Sequence, residues 1–262
     1  MRVEGQVVVV TGGAEGIGKA LARRFRREGA RTVVVADINE AGAEAVASQV
    51  GGAAYPCDVS READIRRLVE TVEGRFGPIA LFCSNAGVAM GYDLAADNVA
   101  FAPNEAWERS WAVNVMAHVF AARALVPRMR GRGGGYFLNT ASAAGLLSQI
   151  GSAVYSATKH AAVGFAESLA IAHRSDGIKV SVLCPQGVDT PMLRGLAAGP
   201  QSADGVLSPD DVAECVIRGL ADESFLILPH PQVADYMRKK TADYDRWIGG
   251  MAKLQRALRG AA

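Results

Sequence analysis

The segment Val7-Val8-Val9-Val10-Thr11-Gly12-Gly13-Ala14-Glu15-Gly16-Ile17-Gly18 decides the fold. A short run of β-branched residues suits a strand buried on both faces. The glycines that follow permit a tight turn and let the backbone come close to a ligand. From Gly16 to Glu28 the pattern turns helical, with Ile17, Ala20, Leu21, Ala22 and Phe25 on one side. A helix that starts at such a turn offers unpaired N–H groups and a positive dipole end, both of which suit a pyrophosphate. A glycine turn with no ligand is the rival reading of the loop taken alone. The G-x-G-x-x-G spacing is not met, because Leu21 stands where the third glycine belongs. A phosphate-binding Walker A loop fails too, because Ala20 follows Lys19 where Ser or Thr is needed.

Outward from this segment, apolar runs alternate with helical patterns. Strands are expected at Thr32–Val35, Ala53–Pro56, Ile79–Cys83, Tyr136–Asn139, Lys179–Leu183 and Phe225–Leu228. Helices are expected at Glu40–Gln49, Arg61–Glu73, Trp107–Met129 and Val154–Arg174, the third interrupted, if anywhere, at Pro127. Ser208-Pro209-Asp210-Asp211 opens another helix, with a capping serine, a first-turn proline and carboxylates at the positive dipole end. This alternation predicts an α/β fold: one doubly wound, parallel, seven-stranded sheet of Rossmann type, with helices on both faces. No Pro/Ser/Gly linker divides the chain. Residues 1–262 therefore read as one Rossmann-type domain, with 191–207 as a candidate lid and 231–262 as a C-terminal helical tail.

Composition narrows the field. The chain has 262 residues, 50% of them hydrophobic, enough for a full core of one such domain. Lys+Arg 28 against Asp+Glu 27 argues against a general polyanion binder, so no nucleic-acid partner is expected. No apolar run reaches the ~18 residues of a membrane span, so no membrane partner is expected. Met1-Arg2-Val3-Glu4-Gly5 shows no signal-peptide pattern, and a cytoplasmic location is the default. Cys57, Cys83, Cys184 and Cys215 form no C-x-x-C and read as reduced thiols, mostly buried beside strands. His118, His160, His173 and His230 show no ligand spacing, and no metal site is expected.

Asp37 closes the second strand, 19 positions after Gly18. An acidic residue about 20 residues on is where a ribose 2′-hydroxyl is held. Joined to the glycine loop it points to NAD. A 2′-phosphate would meet like charge at Asp37 and at Glu15, which makes NADP the less favoured cofactor.

Tyr155 and Lys159, four apart, share one face of a helix. Bringing a tyrosine from about 10 to about 7 takes roughly 4 kcal/mol. One ammonium about 4 Å away supplies about that much at an effective dielectric near 20. A surface pair is the rival reading of Y-x-x-x-K alone. Ser142 follows the fifth strand, 13 positions earlier, at a strand end that faces the ligand crevice. A nucleophilic serine is excluded locally, since G-x-S-x-G would need glycine in place of Thr140.

With these residues in order, the sequence resembles the short-chain dehydrogenase/reductase family over roughly Gly5 to Leu228. Thr11–Gly18 resembles its T-G-x-x-x-G-x-G cofactor loop, with Gly12, Gly16 and Gly18 as the glycines and Glu15 and Ile17 between them. Asp58-Val59 resembles the pair beside the adenine, and Asn85-Ala86-Gly87 the N-A-G turn. Asn114 resembles the asparagine that completes a catalytic tetrad with Ser142, Tyr155 and Lys159 by propping a water that links lysine to solvent. In Pro185-Gln186-Gly187-Val188-Asp189-Thr190, Pro185, Val188 and Thr190 match P-G-x-V-x-T, whereas Gln186 replaces its glycine.

The resemblance implies hydride transfer between a secondary alcohol or ketone and nicotinamide. Tyr155 would be the acid/base, Ser142 would orient the oxygen, and Lys159 would lower the tyrosine pKa and hold the ribose. The small-molecule substrate is expected to be apolar, lined by Leu146, Leu147, Ile150, Met192, Leu193 and Leu196. The resemblance also implies a homo-oligomer, a dimer or tetramer. Two alternatives stand beside this reading: an NADP-dependent ketone reductase, and a dinucleotide-sensing regulator without catalysis.

Overall fold

Every residue of β1 (Val7–Thr11) is buried, and its side chains alternate between two cores. Val7 and Val9 enter one apolar cluster, Val8 and Val10 the other. A strand flanked by apolar layers on both sides forces the parallel, helix-covered sheet that the computed structural model shows for its described residues, 1–196 and 199–260. The strands β2 (Thr32–Asp37), β3 (Ala53–Pro56), β4 (Ile79–Ser84), β5 (Gly135–Thr140), β6 (Ile178–Leu183) and β7 (Leu226–Ile227) lie in the order β3-β2-β1-β4-β5-β6-β7. All pairs are parallel. The order reverses between β1 and β4, which opens a crevice at the strands' C-terminal ends. β7 is shorter than the expected Phe225–Leu228, because only Val182 and Leu183 of β6 pair with it.

Helix α1 (Gly16–Arg27) buries Leu21 and Phe25 on one face of the sheet, beside α2 (Glu40–Val50) and α8 (Pro209–Ala221). Helix α3 (Glu62–Phe76) covers the other face. The sequence reading fails in the middle of the chain, where one helix over Trp107–Met129 is expected. Instead α4 (Asn104–Trp111) passes through a π-helical turn (Ala112–Met116) into α5 (Ala117–Gly131). Hydrophobic period does not reveal a π turn, which holds one extra residue within a continuous helix. Pro127 does not end α5, because Leu125 and Met129 on either side of it are buried against the sheet.

Helix α6 (Ala153–Ala172) starts where Ser152 accepts a hydrogen bond from the Tyr155 N–H at 3.2 Å. Ser208 caps α8 as expected, and the Asp211 side chain accepts from the Ser208 N–H in return, which closes a reciprocal capping box. Residues 191–207 hold a short helix, α7 (Pro191–Arg194), and a 3-10 turn at Pro200–Ser202, while residues 197 and 198 lie outside the described residues. The tail forms α9 (Gln232–Ala242) and α10 (Tyr244–Gly260), and residues 261 and 262 also lie outside the described residues. All four cysteines are free thiols. Among the described residues no helix is long and apolar enough to cross a membrane.

Phe25 is fully buried where α1 meets the sheet. Phe25→Ala is expected to lower the unfolding free energy by about 3–5 kcal/mol in a urea titration. A loss under about 1 kcal/mol would mean that α1 is not held by this face.

Candidate active site

The glycine loop is built to approach its neighbours closely. Gly12 sits at φ +62°, and a Cβ there would lie 2.7 Å from Ala86 Cα. A Cβ on Gly18 would run into the Gly12 carbonyl oxygen. Gly16 is also left-handed, at φ +52°. Glu15, which precedes α1, makes no side-chain cap, so the first N–H groups of α1 stay available.

One amide side chain fixes this loop to its neighbours. Asn85 Nδ2 donates to Thr11 O at 3.0 Å and to Gly12 O at 3.3 Å, and Asn85 Oδ1 accepts from Thr140 Oγ1 at 3.0 Å. Thr11 Oγ1 accepts in turn from the Asn85 N–H at 3.0 Å. The ends of β1, β4 and β5 are thereby cross-linked.

At the end of β2 the Asp37 carboxylate is held by two backbone donors, the Ala14 N–H at 3.0 Å and the Asn39 N–H at 2.9 Å. Beside it lie Ile38, which is 66% exposed, and the Asp58-Val59 pair. Burial alone would raise the Asp58 carboxyl, but the Ser60 hydroxyl and N–H, and then Arg109, outweigh it and hold the group below its ordinary value. Sequence reasoning missed Ile38 and Arg109. The first is an exposed apolar residue next to the acid, and the second reaches the site from α4.

Ser142, Tyr155 and Lys159 line one cavity with Gly12, Asp37 and Asn85. The cavity holds about 700 Å³. Ser142 follows β5, accepts from the Ala144 N–H at 3.1 Å and donates to Pro185 O at 3.4 Å. Lys159 is nearly fully buried, its Nζ donating to Thr140 O at 3.2 Å and lying 5.6 Å from the centre of the Tyr155 ring. Burial lowers the Lys159 ammonium to about 8. Burial also raises the Tyr155 phenol above its ordinary value, opposed by a hydrogen bond with the Ser142 side chain. This corrects the sequence arithmetic: Lys159 by itself does not bring the tyrosine down. Cys184, pushed up to about 12 by burial, adds no thiolate to the site.

Asn114 does not line the cavity. It is fully buried in the π turn, its Oδ1 accepting from the Val88 N–H at 2.9 Å and its Nδ2 donating to Val88 O at 3.0 Å and Thr158 Oγ1 at 3.2 Å. It braces α6 from behind. A Cβ at Gly87 would lie 3.3 Å from both Asn114 Oδ1 and Lys159 Nζ, so this glycine keeps the space between them open.

Glu15, Gly16, Ile17, Gly18, Ala86, Gly87, Pro185, Val188 and Thr190 all line the cavity. Of the expected substrate residues, Leu147, Met192, Leu193 and Leu196 do so, whereas Leu146 and Ile150 do not. Leu146 packs instead against the tail cluster around Val233 and Trp247, and Ile150 is buried. The tail adds Tyr236, Trp247, Met251 and Leu254 to the wall, contacts of long sequence separation that no local pattern signals. The uncapped α1 start, the compact glycine loop and the oriented carboxylate of Asp37 together fit a dinucleotide.

Residues 6–201 match the family model described as short chain dehydrogenase. The chain is 37% identical to 1-deoxy-11-beta-hydroxypentalenate dehydrogenase of Streptomyces exfoliatus, over 95% of this chain and 91% of that protein. It is 32% identical to epidermal retinol dehydrogenase 2 of Homo sapiens, over 87% of this chain and 75% of that one. A short chain dehydrogenase/reductase from Burkholderia phymatum, solved in complex with NAD, superposes with a TM-score of 0.79 at 30% identity, covering 94% of this chain and 96% of its own.

Two outcomes follow from this geometry. Asn85→Ala removes the amide that joins three strand ends, and should cost about 1–3 kcal/mol in urea unfolding and weaken dinucleotide binding by calorimetry. Unchanged affinity would show that the loop holds its shape without the clamp. Lys159 titrates near 8 when folded against 10.5 ordinarily. Between those values the unfolded chain holds a proton that the folded chain has released, so stability should rise with pH across the window. Relative to Lys159→Met, the wild type should gain up to about 1.4 kcal/mol per pH unit there. A pH-independent difference would mean that the ammonium is solvated.

Proposed function

The chain belongs to the short-chain dehydrogenase/reductase family, and from that premise we propose an NAD-dependent oxidoreductase that moves a hydride between an apolar secondary alcohol, or its ketone, and the nicotinamide. The observation that carries the proposal is that Ser142, Tyr155 and Lys159 open into the same cavity as the glycine loop and Asp37. When bound, the oxidised nicotinamide supplies the hydride acceptor and a fixed positive charge.

This chain's residues supply the positioning and the proton. In ketone reduction the Tyr155 phenol, kept neutral by burial, donates its proton to the substrate oxygen. In alcohol oxidation Tyr155 must first be a phenolate, which then takes the hydroxyl proton. Ser142 holds the same oxygen from the end of β5, its own hydroxyl fixed by Pro185 O and the Ala144 N–H. Lys159 stands beside the ring, its ammonium lowered to about 8 by burial, and would hold the nicotinamide ribose. Asn114 keeps α6 at its place behind the site.

Asp37 supports NAD over NADP. Its carboxylate, oriented by the Ala14 and Asn39 N–H groups, accepts from ribose hydroxyls and repels a 2′-phosphate, and Glu15 adds a second negative charge at the same end. Leu147, Met192, Leu193, Leu196, Trp247 and Met251 support an apolar substrate. Pro200 and Asp204, with Tyr236 and Leu254 of the tail, line the cavity too.

Tyr155→Phe should lower turnover at least about a hundredfold while NAD binding by calorimetry stays nearly unchanged. Near-normal turnover would sink the proposed proton path. NAD should be used at least about tenfold better than NADP in kcat/KM, roughly 1.4 kcal/mol, and Asp37→Ala should narrow that ratio. Equal use by the wild type would refute the role of Asp37.

A further inference from the structure

Helix α9 grips the catalytic end from a side that the proposed reaction does not use. Ser142 opens a 3-10 turn (Ala143–Gly145), and Leu146 and Leu147 follow it. The amides of this turn are satisfied from within. The Gly145 N–H donates to Ser142 O at 2.9 Å, and the Leu146 and Leu147 N–H groups donate to Ala143 O at 3.0 and 2.8 Å. The carbonyls that leave the turn, those of Leu146 and Leu147, are taken by Lys240 of α9, whose Nζ donates to each at 2.8 Å. His160 Nδ1 lies 2.8 Å from Ser156 O, a carbonyl that can only accept, so Nδ1 carries the ring proton and Nε2 accepts from Lys240 Nζ at 3.4 Å. All three protons of the ammonium are then engaged.

The turn is also set by packing. A Cβ at Gly145 would lie 2.5 Å from Lys159 O, so the turn lies directly on α6. Val233, fully buried on α9, packs with Ala143 and Leu147. Apolar contact is non-directional and resists sliding poorly. Two charge-assisted hydrogen bonds to adjacent carbonyls fix the direction of the turn as well as its distance. They act at the end of a segment that runs from the Ser142 hydroxyl to the Leu147 side chain, both of which line the cavity.

We propose that Lys240 is a positioning residue for Ser142: from α9 it fixes the turn that Ser142 opens, and so sets where the Ser142 hydroxyl meets the substrate oxygen. This rests on reading the cavity as the alcohol site. Lys240 does not itself line the cavity. It acts through the carbonyls of Leu146 and Leu147, 94 and 93 residues earlier in the chain. The tail thereby takes part in the chemistry besides adding wall. Loss of the ammonium slows the reaction of bound substrate and leaves the dinucleotide end, held by Asn85 and Asp37, as it was.

The test uses the full-length protein with NAD and a panel of apolar secondary alcohols that includes cyclohexanol, menthol and borneol. Turnover is counted per NAD-binding site, titrated by calorimetry, so any loss of folded protein cancels. Lys240→Met keeps the apolar stem and removes the ammonium. It should lower kcat at least about tenfold while NAD affinity stays unchanged. In a Ser142→Ala background the same change should lower kcat less than about twofold, because a residue that works through Ser142 has nothing left to position. A Lys240→Cys variant is made together with Cys215→Ser, the other three thiols being buried. Alkylation with bromoethylamine then returns an ammonium at that place and should restore most of kcat. Unchanged kcat in Lys240→Met, the same loss with and without Ser142, an equal loss of NAD affinity, or a loss that the restored ammonium does not recover overturns the positioning role alone. No turnover of any alcohol by the wild type overturns the alcohol-site reading and this proposal with it.

Discussion

The side-chain amide of Asn85 is the interaction on which the rest of the site depends. Its Nδ2 donates to the carbonyls of Thr11 and Gly12, and its Oδ1 accepts from the Thr140 hydroxyl. A parallel sheet brings strand ends near one another but leaves the loops beyond them free. Asn85 removes that freedom at the point where the strand order reverses, between β1 and β4. The backbone carbonyl of Thr140, next to this clamp, holds Lys159 Nζ. Ser142 leaves β5 two residues later. The loop suited to phosphate and the hydroxyls suited to a substrate are therefore set by one framework.

Burial governs the chemistry of that framework. It acts against charge on both Tyr155 and Lys159, raising the phenol and lowering the ammonium. The sequence arithmetic, which put an ammonium about 4 Å from the phenol in a medium of dielectric near 20, left out this opposing effect. The structure has Nζ 5.6 Å from the ring centre, with Thr140 O as its partner. A neutral phenol beside Ser142 is a proton donor as it stands, and becomes a base only when further positive charge is brought close.

The sheet was legible because β-branched runs such as Val7–Val10 admit little else, and the α8 start because Ser208, Pro209 and Asp211 each act locally. The residues that line the cavity near the glycine loop were legible for a related reason: they sit in loops directly after strands. What was not legible depends on distant parts of the chain. The π turn that carries Asn114 adds one residue to a helix of otherwise ordinary pattern. The places of Leu146 and Ile150 were missed because α9 and α10 return to cover the site and take Leu146 into their own packing. Gln186 was visible as a departure, but the hydrogen bond from its N–H to His230 Nδ1 at 3.2 Å, across a long sequence separation, was not.

In the proposed reaction a hydride leaves the carbon of a secondary alcohol for the nicotinamide. The most direct measurement uses an alcohol deuterated at that carbon, with NAD, and reads the reduced cofactor by mass spectrometry. One deuterium in the reduced cofactor and slower turnover than with the unlabelled alcohol are expected. Reduced cofactor without deuterium, or ketone formed with no reduced cofactor, would contradict it.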